Sequence, residues 1–234
     1  MRVPVVPQRT EIARHLDRSS MSTPTTADAG SAQLKVAVIY YSSTGTIASL
    51  AKEIGETAEK AGAEVRLRRA PELAPQSAID SNPAWAENQR ATADITEASP
   101  EDVDWADAVL FGTPTRFGNV SSQLKQVLDQ LGGLWAEGKL ADKVYSGFTS
   151  SASQHGGQES TLLALYTTIH HFGGLIAAPG YTDPSKFADG NPYGTSHTDA
   201  QGANPVDETA RTAARVQAER VVRIARGVKA GLAA

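Results

Sequence analysis

The strongest constraint on this chain is a strand, turn and helix written without interruption from position 34. Residues 34–41 read Leu-Lys-Val-Ala-Val-Ile-Tyr-Tyr, an almost unbroken apolar run rich in β-branched and aromatic side chains. A strand with no polar face belongs in a parallel sheet covered on both sides. A turn of small hydroxyl residues follows. Ile47, Leu50, Ala51, Ile54, Ala58 and Ala61 then recur at steps of three and four, the stripe of an amphipathic helix. Gly62 is placed to end that helix, and residues 64–67 start a second strand.

The unit repeats. Residues 107–112 read as a buried strand, and Val120, Leu124, Val127, Leu128 and Leu131 form the next helical stripe. Residues 143–149 predict a fourth strand, with Leu162, Tyr166 and Ile169 on one face of the following helix. Residues 175–178 give a short fifth strand. Asn204 and Pro205 are expected to cap and open a final helix, with Ala214, Ala218, Val221, Val222 and Ala225 inward and Gly227 beyond its end. Strands alternating with helices specify α/β architecture. Five units are too few for a barrel and suit a flavodoxin-like three-layer sandwich, a five-stranded parallel sheet in the order 2-1-3-4-5. Two connections are long: residues 71–100, with a short helix expected over 85–92, and the Gly- and Pro-rich residues 180–203.

Composition narrows the function classes. A chain of 234 residues with 40% hydrophobic content builds a core without staples. Its formal charge of -4 argues against nucleic acid as a partner. The absence of cysteine removes disulfides, thiolate metal sites and a cysteine nucleophile. No apolar stretch has the length of a membrane span, so a soluble, cytoplasmic protein is expected. Residues 1–33, with Arg2, Arg9, Arg14 and Arg18 among Pro, Ser and Thr, show no sustained periodicity and predict a flexible tail. Met21 is an alternative start.

In an open parallel sheet the ligand lies beyond the carboxyl ends of the strands. Three loops meet there. The first is Ser42, Ser43, Thr44, Gly45, Thr46 and Ile47, whose N–H and hydroxyl groups converge at a helix N-terminus and suit a phosphate. The same residue types also make ordinary helix caps. Lacking lysine and a Gly-x-Gly-x-x-Gly pattern, this loop fits a monophosphate better than a triphosphate or a dinucleotide. The second loop is Thr113, Pro114, Thr115, Arg116, Phe117, Gly118 and Asn119: a stiff turn with a cation and an aromatic face, suited to a flat ring. The third, after strand four, contains Ser150, Ser151, Ala152, Ser153, Gln154, His155 and Gly156.

These segments resemble the WrbA family of NAD(P)H:quinone oxidoreductases. Besides the first two loops, the resemblance runs through Leu128-Asp129-Gln130, Gly132-Gly133-Leu134-Trp135-Ala136, Gly156-Gly157-Gln158-Glu159, Thr167-Thr168-Ile169-His170-His171 and Pro192-Tyr193-Gly194. It covers the chain from about Lys35 onward. It implies FMN as cofactor, with its phosphate on Ser42 to Ile47 and its ring against Thr115, Arg116 and Phe117. The segment from Ser150 to Gly156 corresponds to a further flavin loop, and Thr44 lies where the nicotinamide cofactor is contacted. Trp135 and His171 correspond to catalytic groups, His171 lying also at the flavin. NADH or NADPH donates electrons, a quinone accepts them, and the assembly is a homotetramer with sites completed by neighbouring subunits. Position 44 is Thr where the best-known members have Tyr, and position 46 is Thr rather than His. The third loop is one residue longer than the usual pattern.

An electron-carrying flavodoxin and a flavin-free phospho-receiver share the fold. The first is usually strongly acidic, and the second needs a carboxylate where this chain has Tyr41 and Ser42. His170 and His171 are poorly spaced for a metal, because adjacent helical residues diverge by about 100°.

Overall fold

The structure is a computed structural model and describes residues 33–233. The expected tail, apart from Gln33, and Met21 as an alternative start lie outside the described residues.

The sheet is built from β1 (Leu34–Tyr40), followed by α1 (Thr46–Lys60) and β2 (Ala63–Arg69). Three short helices, α2 (Gln76–Asp80), α3 (Pro83–Ala91) and α4 (Pro100–Trp105), lead to β3 (Ala108–Pro114). Next come α5 (Ser122–Asp129), α6 (Gly132–Ala136), β4 (Val144–Ser151) and α7 (Gln158–Phe172). The chain ends with β5 (Leu175–Ile176), α8 (Lys186–Asp189), β6 (Thr195–Thr198) and α9 (Glu208–Leu232). Strand order is β2-β1-β3-β4-β5, all parallel, as the repeating pattern predicts.

β1 supplies both layers of the core. Val36, Val38 and Tyr40 pack with Ile47, Leu50 and Ile54 of α1 and with Ala214, Ala218, Val221 and Val222 of α9. Ala37, Ile39 and Tyr41 face the other layer, where Leu124, Leu128, Leu162, Leu165 and Ile169 close over β3 and β4. Burial on both faces explains the unbroken apolar run.

Four expectations need correction. The fifth position of the sheet is split between two strands: β5 pairs with Val144 and Tyr145, and β6, also parallel, pairs with β4 from Phe148 to Ser151. β6 is Thr-Ser-His-Thr, with no apolar signal, inside the stretch read as a loop. It also lengthens strand four, so Ser150 and Ser151 are buried strand residues. At the split, fully buried Gln217 of α9 stands in for strand bonding. Its amide donates to Gly147 O and Ser146 Oγ, both at 2.7 Å, and accepts from Thr195 N at 2.8 Å. Gly194 must be glycine here, since a Cβ would lie 2.1 Å from Gly147 O. Finally, α9 is capped by Asp207, which accepts from Ala210 N at 2.8 Å, rather than by Asn204. The Asn204 amide instead donates to Thr198 O. The helix continues through Gly227 to Leu232 because its Ala-rich stripe keeps packing on α1 and β1.

The long 71–100 connection is pinned by Glu72. Its carboxylate accepts from Tyr41 Oη (2.9 Å), Trp85 Nε1 (3.0 Å), Gln123 Nε2 (2.9 Å) and the N–H groups of Leu73 and Ala74. Trp105 packs structurally, with the Arg66 guanidinium 4.1 Å from its ring centre.

Candidate active site

The three strand-end loops converge on one cleft of about 310 Å³. The first loop leaves β1 and turns into α1 at Gly45, whose φ of 98° places it in the left-handed region that glycine adopts without strain. Gly45 N donates to Ser42 Oγ at 3.1 Å, and the Asn88 amide holds Ser42 O at 2.8 Å. No side chain caps α1 and its first turn carries no carboxylate of its own. Its leading N–H groups and the hydroxyls around them therefore face the cleft as an anion-binding corner.

The second loop is built on a buried base. Thr113 Oγ1 accepts from Ser121 N at 2.9 Å. Beyond Pro114 the chain folds into a tight hairpin in which Arg116 and Asn119 exchange backbone hydrogen bonds of 2.8 and 3.1 Å. Phe117 (φ 54°) and Gly118 (φ 78°) occupy the turn, both left-handed, the pattern of a type I′ turn. Phe117 is wholly exposed at its tip, an unusual conformation and setting for an aromatic residue. Arg116 donates to Ser43 Oγ at 3.4 Å, tying this loop to the first. The third loop is held by Ser151 Oγ, which donates to Ser153 O at 2.6 Å and accepts from Gln158 Nε2 at 2.8 Å.

Of the residues singled out in the sequence, Ser42, Ser43, Thr44, Thr46, Ile47, Pro114, Thr115, Arg116, Ser150, Ser151, Ala152, Ser153 and Gly156 line this cleft. Gly45, Thr113, Gly118 and Asn119 do not line it; they fix the loop backbones, Gly45 and Gly118 at left-handed turns, Thr113 through Ser121 N and Asn119 through its pairing with Arg116. Phe117 does not line it and stands in solvent at the hairpin tip. Gln154 and His155 do not line it either, because the loop bends outward: Gln154 lies against a separate groove with His197 and Asn204. Asp199 and Gln201 do line it. They follow the strand that the sequence pattern conceals, so nothing in the sequence marks them.

Trp135 and His171 are brought together, but elsewhere. Trp135 Nε1 donates to the backbone carbonyl of His171 at 2.8 Å, and the indole is 57% exposed. α7 begins at the third loop and runs antiparallel to the strands, so its thirteen-residue advance carries His171 about 20 Å away. Within one chain neither residue reaches the cleft. Next to the cleft, burial and then the Glu72 carboxylate push the Tyr41 hydroxyl well above its ordinary pKa. Burial pushes Glu72 upward, yet hydrogen bonds from Ala74, Gln123, Tyr41 and Leu73 outweigh it and hold the carboxyl below its usual range.

Comparison with known proteins places this geometry. The family model described as NADPH-dependent FMN reductase matches residues 34–181. A Deinococcus radiodurans protein named NAD(P)H dehydrogenase (quinone) is 47% identical over 194 residues, 82% of this chain and 96% of that protein. One of the same name from Sinorhizobium fredii is 43% identical over 197 residues, 82% and 96% of the two chains. Among solved structures, the flavodoxin, WrbA-like protein from Agrobacterium tumefaciens superposes with a TM-score of 0.59 at 26% identity, covering 83% of this chain and 99% of its own. Megasphaera elsdenii flavodoxin shares the fold, with a TM-score of 0.51 at 17% identity over 80% of this chain and 98% of its own. With a cleft of hydroxyl and N–H donors at three consecutive strand ends, and with these relatives, the chain belongs to the WrbA-type NAD(P)H dehydrogenase (quinone) family of the FMN reductase fold.

Proposed function

We propose that this protein is an FMN-dependent oxidoreductase that passes two electrons from NAD(P)H to quinones. The observation that carries the reading is the convergence of three donor-rich loops on one cleft at the carboxyl edge of the sheet. The donor set fits FMN: hydroxyls and N–H groups at the uncapped start of α1 for a phosphate monoester, and a Pro-stiffened hairpin beside it for a flat ring. Bound FMN supplies the hydride-accepting and electron-donating chemistry that lets NAD(P)H and a quinone use one site in turn.

The chain's own contribution is binding and orientation. Ser42, Ser43, Thr44 and Thr46 hold the phosphate. Arg116, fixed to Ser43, brings the only positive side chain among the residues lining the cleft. Phe117 at the hairpin tip offers an apolar face to a second ring. Thr44 meets the nicotinamide cofactor with a hydroxyl. Trp135 walls the quinone side and His171 orients or protonates the quinone oxygen, the two protonation states of an imidazole serving either role. Their distance from their own chain's cleft supports a homotetramer in which a neighbouring subunit supplies them. A cytoplasmic enzyme suits a water-soluble electron donor such as NAD(P)H.

Flavin titration followed by anaerobic mixing with NADH or NADPH tests the reading. The bound flavin should bleach on mixing and recover its colour when benzoquinone is added. A protein that binds FMN but leaves it oxidised by either nucleotide is an electron carrier and not this enzyme.

A further inference from the structure

Asp199 places a carboxylate inside the cleft, and the fold fixes it there. Its N–H donates to Ser151 O at 2.9 Å, one residue past the last pair between β6 and β4. Its carbonyl accepts from Gly202 N at 2.9 Å and Asn204 N at 3.0 Å. Oδ1 accepts from Gln201 N at 3.0 Å. Ala200 and Gln201, at φ 47° and 59°, hold a left-handed turn that non-glycine residues seldom adopt. The other oxygen, Oδ2, accepts from Thr46 Oγ1 at 3.4 Å. Thr46 is the first residue of α1, so the carboxylate shares a hydroxyl donor with the anion corner itself.

A fixed negative charge is unexpected at a site for a phosphate. It occupies part of the favourable field of the helix N-terminus and repels a dianion beside it. The loop donors are neutral, and Arg116, the one cation among the lining residues, is directed toward Ser43 Oγ and Thr115 O. A like charge within the same corner, at a dielectric between protein surface and water, changes a binding constant by about tenfold.

We propose that Asp199 is a specificity-determining residue that works against the flavin phosphate. It reduces the phosphate's share of the binding energy and leaves FMN exchangeable. The proposal rests on the FMN reading above and sharpens it.

Asp199→Asn keeps the shape and the Oδ1 acceptor for Gln201 N while removing the charge. Asp199→Ser removes the charge with a different cap. Fluorescence titration of the flavin-stripped wild type and both variants, with FMN and with riboflavin, reads the effect. FMN should bind about tenfold more tightly to both variants, and riboflavin, which lacks the phosphate, should shift less than about twofold. FMN affinity that stays constant or weakens overturns the role of Asp199, as does riboflavin tightening in parallel with FMN. Wild type that binds neither flavin overturns the FMN reading and this inference with it. Where wild type binds FMN, that reading stands and the two variants alone decide the role of Asp199.

Discussion

At the scale of single residues, the anion corner depends on a backbone conformation before it depends on any side chain. Gly45 sits at φ 98°, and its absent Cβ would lie 3.5 Å from Asn88 Oδ1, so the space is tolerable but the conformation is not. Holding an L-residue in the left-handed region costs about 1–2 kcal/mol. Gly45→Ala should therefore weaken FMN binding by about tenfold, read by flavin titration, as the loop relaxes away from the geometry that aims its N–H groups. Glu72 makes a second residue-scale prediction. Its folded pKa lies below the unfolded value, so its stabilisation is present above the ordinary carboxylate range and is lost as pH falls through the lowered folded value. The difference in melting temperature between wild type and Glu72→Gln should be largest near neutrality and shrink below about pH 4. A difference that grows on acidification would contradict the hydrogen-bond account.

At the scale of elements, the split fifth strand shows what a hydrophobic pattern can and cannot report. β1, α1, β3 and α7 are legible because each buries a face, and burial writes a period into the sequence. β6 is polar because its strand bonds, and not its side chains, supply the reason for its place. Its neighbours are β4, which already has a covered face, and Gln217, whose amide fills the break between β5 and β6. Asp199 and Gln201 are hidden for the same reason, since they hang from a strand without an apolar signature. The pattern brings Ser150 and Ser151 to the cleft but reads them as loop, because strand four extends only as far as its polar partner allows. The polar joint itself is testable. Gln217→Leu leaves Gly147 O, Ser146 Oγ and Thr195 N without that partner. Urea denaturation should show a loss of about 3 kcal/mol, more than a substitution at an exposed α9 position such as Glu219→Gln would cause.

At the scale of the whole molecule, the two halves of the proposed site stand at opposite ends of α7. The cleft lies where that helix begins, and the Trp135–His171 pair lies where it ends, with the indole half open to solvent. A rigid 15-residue helix packed on β4 cannot bend the second half back to the first. If both halves act on one flavin, different subunits must supply them, and a closed symmetric assembly is the economical way to repeat that arrangement. Complementation separates this from a role confined to one chain. A Gly45→Val variant should lose its flavin, while a Trp135→Ala, His171→Ala variant, its phosphate corner intact, should still take up FMN yet turn quinone over poorly. In tetramers co-expressed from both, some sites join an intact cleft to an intact Trp–His pair from a neighbour. With random assembly about a quarter of sites meet that condition, so about a quarter of wild-type quinone turnover should return. Were Trp135 and His171 to serve only their own chain, or only folding, the mixed tetramers would show no more than the average of their two parents.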